Sequence, residues 1–373
     1  MILEENSSDV KAPARLHLTY VDGLRALAAL YVVMDHAALQ VWPIFTTRIQ
    51  PVGLERVVSA VFSQAHFAVS VFIVVSGFCL MLPVIRNEGR LKGGASLFFR
   101  KRARRILPPY YCAMGLSLLL IALFIGHKTG THWDCSLPVT WKGFVAHVLL
   151  VQDFYGSPQI NHVFWSIAVE WQIYFLFPLV VLSWGKWGGI KTAVGSLLLS
   201  TAAIFLTRHT SFSEVTPQYF GLFVLGMLGA TVAYSSVEHW QTLQNRVPWT
   251  LVLLASAILS FLFQHFGRVW LADYFVGTAT LALLVVSSQP HGGWFFHTLS
   301  GRFLPFIGTF AYSIYLIHAP LLQVVWQYFL HPLHLSNLWT FAILIGIGCP
   351  AIVGCAYLFY LICERPFVNI ARP

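Results

Sequence analysis

The sequence predicts an all-α, polytopic integral membrane protein of about ten transmembrane helices with both termini cytoplasmic. Three observations carry this. Of 373 residues, 57% are hydrophobic and only 10% charged, with a mean hydropathy of +0.70; a soluble domain carries far more charge on its surface. Apolar runs of about 15–24 residues follow one another, close to the length a helix needs to cross ~30 Å of hydrocarbon. Threading the runs alternately in and out then sorts the cations. Sixteen Lys and Arg fall on the inner side and six on the outer, and Arg25 lies within a span. That asymmetry satisfies the positive-inside rule. The formal charge of +9 is therefore topogenic, and no nucleic-acid partner is expected.

The predicted spans are 22–41, 67–85, 107–126, 163–183, 190–207, 218–235, 249–265, 270–287, 304–328 and 338–361. The apolar stretch 143–154 is too short to cross and is placed as an interfacial or re-entrant piece. Residues 1–19 are polar and form a cytoplasmic tail, not a signal peptide. Residues 20–362 form one membrane domain, and 363–373 a second cytoplasmic tail. Of six Cys, only Cys135 falls in a predicted outer loop, so no disulfide framework is available. The pairs His331/His334 and His127/His132 are loop pairs without Cys or acidic partners. Neither a metal site nor a tightly bound cofactor is expected.

The first span opens with the segment Asp22 to His36, which is rich in Ala and Leu, starts at a capping Asp22 and meets no Pro before Pro43. Arg25 and His36 are eleven residues apart, so they point ~20° apart around the helix and lie roughly 16 Å apart along it. One face thus carries a fixed cation near one end and an imidazole deeper in, with Asp35 beside it. Charged groups at such depth cost about 2.5–3.5 kcal/mol on insertion scales, and they usually face a protein interior or a wet cavity. The second span carries Ser76-Gly77, which admits either a close backbone or a thin ligand. Ahead of the third span stand five cations in the six residues 100–105. They anchor the inner end of the helix, and Arg102, Arg104 and Arg105 offer forks that match phosphate oxygens. The fourth span opens Trp165-Ser166 and buries Glu170 about two turns inside the outer face, at a depth where it could meet His36. In the ninth, Tyr312, Tyr315 and His318 recur every three residues as one polar, aromatic strip. Glu364 and Arg365 close the chain beside the inner basic segment.

Five of these segments resemble the membrane acyltransferase 3 family, whose members O-acylate sugars and other hydroxyl acceptors of the envelope. They are the Asp-Gly-Leu-Arg-Ala segment with its Arg-x10-His, Phe-Ile-Val-Val-Ser-Gly-Phe, Arg-Arg-Ile-Leu-Pro, Phe-Trp-Ser-Ile-Ala-Val-Glu and Ser-Ile-Tyr-Leu-Ile-His-Ala-Pro; the terminal Glu-Arg-Pro fits too. They occur in family order over about 20–367. The resemblance implies ten spans, acyl-CoA as cytosolic donor, acetyl by default, and a hydroxyl acceptor on the outer side, an envelope carbohydrate or another extracytoplasmic acceptor. Arg25 and His36 match the family's essential pair. Glu170-Trp171 departs from it, since many members carry Glu-Glu or Glu-Gln there.

The combined expectation is an acyltransferase of the cell membrane. Its catalytic set is His36 as general base, Arg25, and Glu170 or Asp35 to orient the imidazole or hold the acceptor. Arg102, Arg104, Arg105, Ser76 and Gly77 would bind acyl-CoA. Trp165, Ser166, Tyr312, Tyr315 and His318 would bind the acceptor. Direct transfer and an acyl-histidine intermediate both stay open. The alternative is a proton-coupled transporter or flippase for a lipid-linked sugar, with the buried Arg, Glu and His as a proton relay.

Overall fold

The computed structural model describes residues 18–43, 51–210, 212, 215–289 and 293–369. Most of the two terminal tails, with Lys11, Arg15 and Arg372 of the charge count, lies outside the described residues, as does Arg48. All ten predicted stretches are helical: α1 (Thr19–Val41), α2 (Ala65–Arg86), α3 (Gly94–Leu120), α4 (Trp165–Trp187), α5 (Gly189–Thr207), α6 (Gln218–Tyr234), α7 (Trp249–His265), α8 (Val269–Ser288), α9 (Ala311–Val325) and α10 (Asn337–Val368). Among the described residues there is no strand.

Seven helices, or up to eight counting α6, are long and apolar enough to cross a membrane. The eighth is α6 taken with Glu238–Arg246, from which it is bent by 97°. Besides α6, which is itself 17 residues long, two predicted spans fall short as single helices. With 17 residues, α7 rises only about 26 Å. The predicted 304–328 helix is broken: Phe303–Gly308 ends, Phe310 leaves helical geometry, and α9 restarts at Ala311. At the break Gly308 lies directly on the Asp22 carbonyl of α1, so a side chain there would displace one backbone or the other.

The core is built around α1, which packs on α2, α9 and the Phe303–Gly308 turn, while α2 is covered by α6 and α8. Gly77 explains part of this. Its Cα face is filled by the Phe223 carbonyl of α6, so the Ser-Gly step serves as a packing notch and leaves no room for a ligand at Gly77. About two turns away along α2, at Ser70, Asp273 of α8 is fully buried yet well partnered. It accepts from Ser70 Oγ (2.7 Å) and Gln218 Nε2 (3.3 Å), and it pairs with His66 Nε2 (2.8 Å).

The 143–154 stretch forms an eight-residue helix, Trp141–Val148, and a 3-10 turn, Gln152–Tyr155. Neither is long enough to cross. Tyr110 and Tyr111 of α3 donate to the His147 and Val148 carbonyls, and Gln152 Nε2 donates to the Phe164 carbonyl, which ties this piece to α3 and to the start of α4.

Candidate active site

Two polar compartments lie one behind the other along α1. The first is a cavity of about 150 Å³ between α1, α2, α3, α4 and α9. Its walls include Arg25, Ser76, Arg102, Arg105, Ser166, Glu170, Tyr312 and Tyr315. Three guanidinium groups on one small space repel each other and draw in anions. The compensation is partial. Arg25 Nη1 lies 3.8 Å from Asp22 Oδ1, and Glu364 is within electrostatic reach of Arg105. Arg102 Nε is buried without a hydrogen-bond partner among the described residues. Such a group is costly unless a ligand completes it. Arg104 is exposed and does not line the cavity.

Glu170 belongs to this compartment and makes no described contact with His36. Its Oε1 accepts from Tyr174 OH at 2.5 Å, and that phenol lies 3.1 Å from Ser76 Oγ. Tyr312 donates to the Ile106 carbonyl (3.2 Å). Tyr315 donates to the Val163 carbonyl (3.0 Å) and stands 2.6 Å from Ser166 Oγ. Trp165 is elsewhere, its ring 5.7 Å from that of Tyr219.

The second compartment holds four imidazoles. His36 Nδ1 is 2.7 Å from His318 Nε2, and the two rings stack at 5.0 Å. The ring of His162 meets His36 edge-on at 5.1 Å, and that of His132 lies at 6.2 Å. Neighbouring carbonyls assign the tautomers. His318 Nδ1 faces two oxygens, those of Tyr315 (2.8 Å) and Ile314 (3.1 Å), so it carries the proton and donates. In a neutral ring Nε2 then accepts, and His36 Nδ1 must be the donor to it. The lone pair of His36 is left on Nε2.

Local sequence explains how His162 arrives here. Pro320 has no N–H, so the Leu316 carbonyl of α9 loses its helical donor. Asn161 Nδ2 supplies one at 3.1 Å, while Asn161 Oδ1 accepts from Val163 N at the start of the 3-10 turn before α4. One turn beyond His36, Gln40 Nε2 donates to Gln323 Oε1 (2.6 Å), which also accepts from Thr131 Oγ1 (2.9 Å); Gln323 Nε2 donates to Thr129 Oγ1 (3.0 Å). This network clamps the 127–136 loop over the histidines. Within that loop, burial holds the His132 imidazole below its ordinary range and pushes the Cys135 thiol up to about 11.

Asp35 has another task. Its Oδ1 accepts from Ala65 N at 2.8 Å and so caps α2 from a neighbouring helix. The predicted Glu170–His36 pairing and the Asp35–His36 pairing are both replaced by His36–His318. A helical neighbour such as Asp35 points ~100° away from His36, and Glu170 is held by Tyr174. His162, Gln40 and Gln323 were not singled out from the sequence, and His132 was named only as one of a loop pair. The usable signal was spacing on the first helix: Gln40 repeats the His36 face one turn on.

A bundle of apolar helices around an arginine-lined cavity and a histidine cluster defines a multi-pass membrane protein with a polar interior. The family model described as an acyltransferase domain matches residues 18–361, and the chain belongs to that acyltransferase family. It is 25% identical over 330 residues to the putative peptidoglycan O-acetyltransferase YrhL of Bacillus subtilis, covering 81% of this chain and 48% of that protein. It is 23% identical over 335 residues to the peptidoglycan O-acetyltransferase OatA of Listeria monocytogenes, covering 83% and 50%. Against the O-acetyltransferase OatA of Staphylococcus aureus the figures are 24% over 336 residues, 84% and 52%. The chain thus spans about half the length of these curated relatives. No solved structure matches it.

Proposed function

We propose that this chain transfers an acyl group, acetyl by default, from cytosolic acyl-CoA to a hydroxyl of an extracytoplasmic envelope carbohydrate. A cell-wall glycan is the first acceptor to try, because two of the relatives are named for peptidoglycan. The proposal includes ten spans with both termini cytoplasmic, the broken α9 segment and short α7 each counting as one. The observation that carries it is the alignment of an arginine-lined cavity, near one end of α1, with a histidine pair about 16 Å further along the same helix. The first suits a phosphate-bearing donor and the second suits proton abstraction.

In this reading Arg25, Arg102 and Arg105 hold donor phosphates, and the pantetheine arm runs past Tyr315 toward His36. His36 Nε2 takes the acceptor hydroxyl proton as its oxygen bonds to the thioester carbonyl carbon. The C–S bond then breaks, and the CoA thiolate leaves and takes up the proton from His36. His318 accepts from His36 Nδ1–H and spreads the charge of the imidazolium.

Purified protein in bilayers, given labelled acetyl-CoA and cell-wall glycan, should place label on the glycan and release CoA. Neutralising Arg102 and Arg105 together should raise the KM for acetyl-CoA more than that for the acceptor. CoA release no faster than that of a folded His36→Gln variant, with glycan present, overturns the proposal.

A further inference from the structure

The loop that the glutamine network clamps over the histidines brings three soft or borderline donors together. His132 and Cys135 sit three residues apart on the 3-10 turn His132–Ser136. His162, at the head of α4, faces them. One ligand atom from each of the three lies within 4.8 Å of the others, and the His132 and His162 rings are 4.6 Å apart. Tetrahedral zinc, with bonds of ~2.0–2.3 Å, sets its donors roughly 3.3–3.8 Å apart, so a small inward movement completes the geometry.

Two further features match. His162 Nε2 is buried without a hydrogen-bond partner among the described residues. Its other nitrogen, Nδ1, lies 3.1 Å from Ser136 Oγ. A metal-ligating histidine takes this form, with one nitrogen for the ion and the opposite N–H held by an oxygen that fixes the tautomer. The scaffold is also laced together independently of these donors. Ile160 N donates to the Ser136 carbonyl (3.0 Å), and His162 N donates to Ser136 Oγ (3.2 Å).

We propose that His132, Cys135 and His162 form a binding site for a divalent transition ion, Zn²⁺ above all. Two imidazoles and a thiolate exclude Mg²⁺ and Ca²⁺, which take oxygen donors. On binding, the Cys135 S–H bond breaks, the S–metal bond forms and the proton passes to water. Three protein donors leave a fourth position for water or another oxygen ligand, as in sites that take part in chemistry. The ion would lie beside His36, whose ring is 5.1 Å from that of His162. The site does not depend on the acyl-transfer reading.

The test uses the full-length protein stripped with chelator. Wild-type protein should bind one equivalent of Zn²⁺, and Co²⁺ in its place should give a thiolate-to-cobalt charge-transfer band. Cys135→Ser should lose that band. Ser136→Ala should weaken Zn²⁺ on the order of 10–100-fold. A His331→Ala, His334→Ala double variant, altered in the other histidine pair, should bind as wild type. Because loop variants can misfold, the decisive readout is on wild type: Zn²⁺ should protect Cys135 from alkylation, followed by peptide mass spectrometry. Equal alkylation with and without Zn²⁺, or a charge-transfer band that survives in Cys135→Ser, overturns the site.

Discussion

At His36 the decisive quantity is which nitrogen keeps its lone pair, and a residue 282 positions away decides it. His318 donates backward to its own helix through Nδ1, so it can only accept from His36. Under the proposed mechanism, removing His36 and removing its partner should therefore look different. A folded His36→Gln variant should lose ~10²–10⁴-fold in turnover, since an amide cannot take the proton. His318→Ala should lower kcat with little change in the KM for acyl-CoA. His318→Gln should recover part of that loss, because its side-chain oxygen can still accept from His36. A His318→Gln variant no better than His318→Ala, with both folded, would remove His318 as the positioning residue. A His36→Gln variant above a tenth of wild-type turnover would remove His36 as the base.

The helix ends and helix breaks supply the second scale. Asp35 follows the periodicity of a functional face only loosely, and its carboxylate serves the first backbone N–H of α2 instead. Asp35→Ala should cost about 0.5–2 kcal/mol of stability, typical for loss of a cap. Asp35→Asn still presents a capping oxygen and should restore both thermal stability and activity. If Asp35→Asn kept wild-type Tm but lost activity as severely as His36→Gln, the carboxylate would return to the reacting groups. Pro320 shows the converse logic, in which a missing helix donor creates the acceptor that Asn161 uses to bring His162 into place. The placement of His162 depends on a helix irregularity, which a propensity scale registers only as a cost.

Across the whole molecule, charge placement and chamber placement agree. The arginines at 100–105 and Arg86, Arg90 and Lys92 gather at one end of the bundle, and Lys128 and the 127–136 loop lie on the far side of α3. The arginine-lined cavity would then face the cytosolic pool of acyl-CoA, and the histidine cluster the outer side. A topology reporter fused after Gly94 should be cytoplasmic and one at Thr131 external. If both report the same side, the span assignment fails, and the inside donor and outside acceptor fail with it.

Hydropathy, the cation asymmetry and the Arg25/His36 spacing were legible in the chain because they depend on composition and on a helix of fixed pitch. These are local properties, and every predicted stretch is helical, although 304–328 comes in two pieces and seven or eight helices are long and apolar enough to cross. The family match spans residues 18–361, which contain all five of the resembling segments. Partner choice was not legible. Glu170 pairs with a tyrosine one turn along its own helix, Asp35 caps a different helix, and Gly77 receives a backbone carbonyl. The histidine cluster draws on α1, α9, the 127–136 loop and the head of α4, elements far apart in sequence. His132 as one of a loop pair lacked a thiol and a third donor; folding supplies Cys135 from the same turn and His162 from another element. Helical pitch sets where a side chain points, but only the packing of one helix against another sets what it meets.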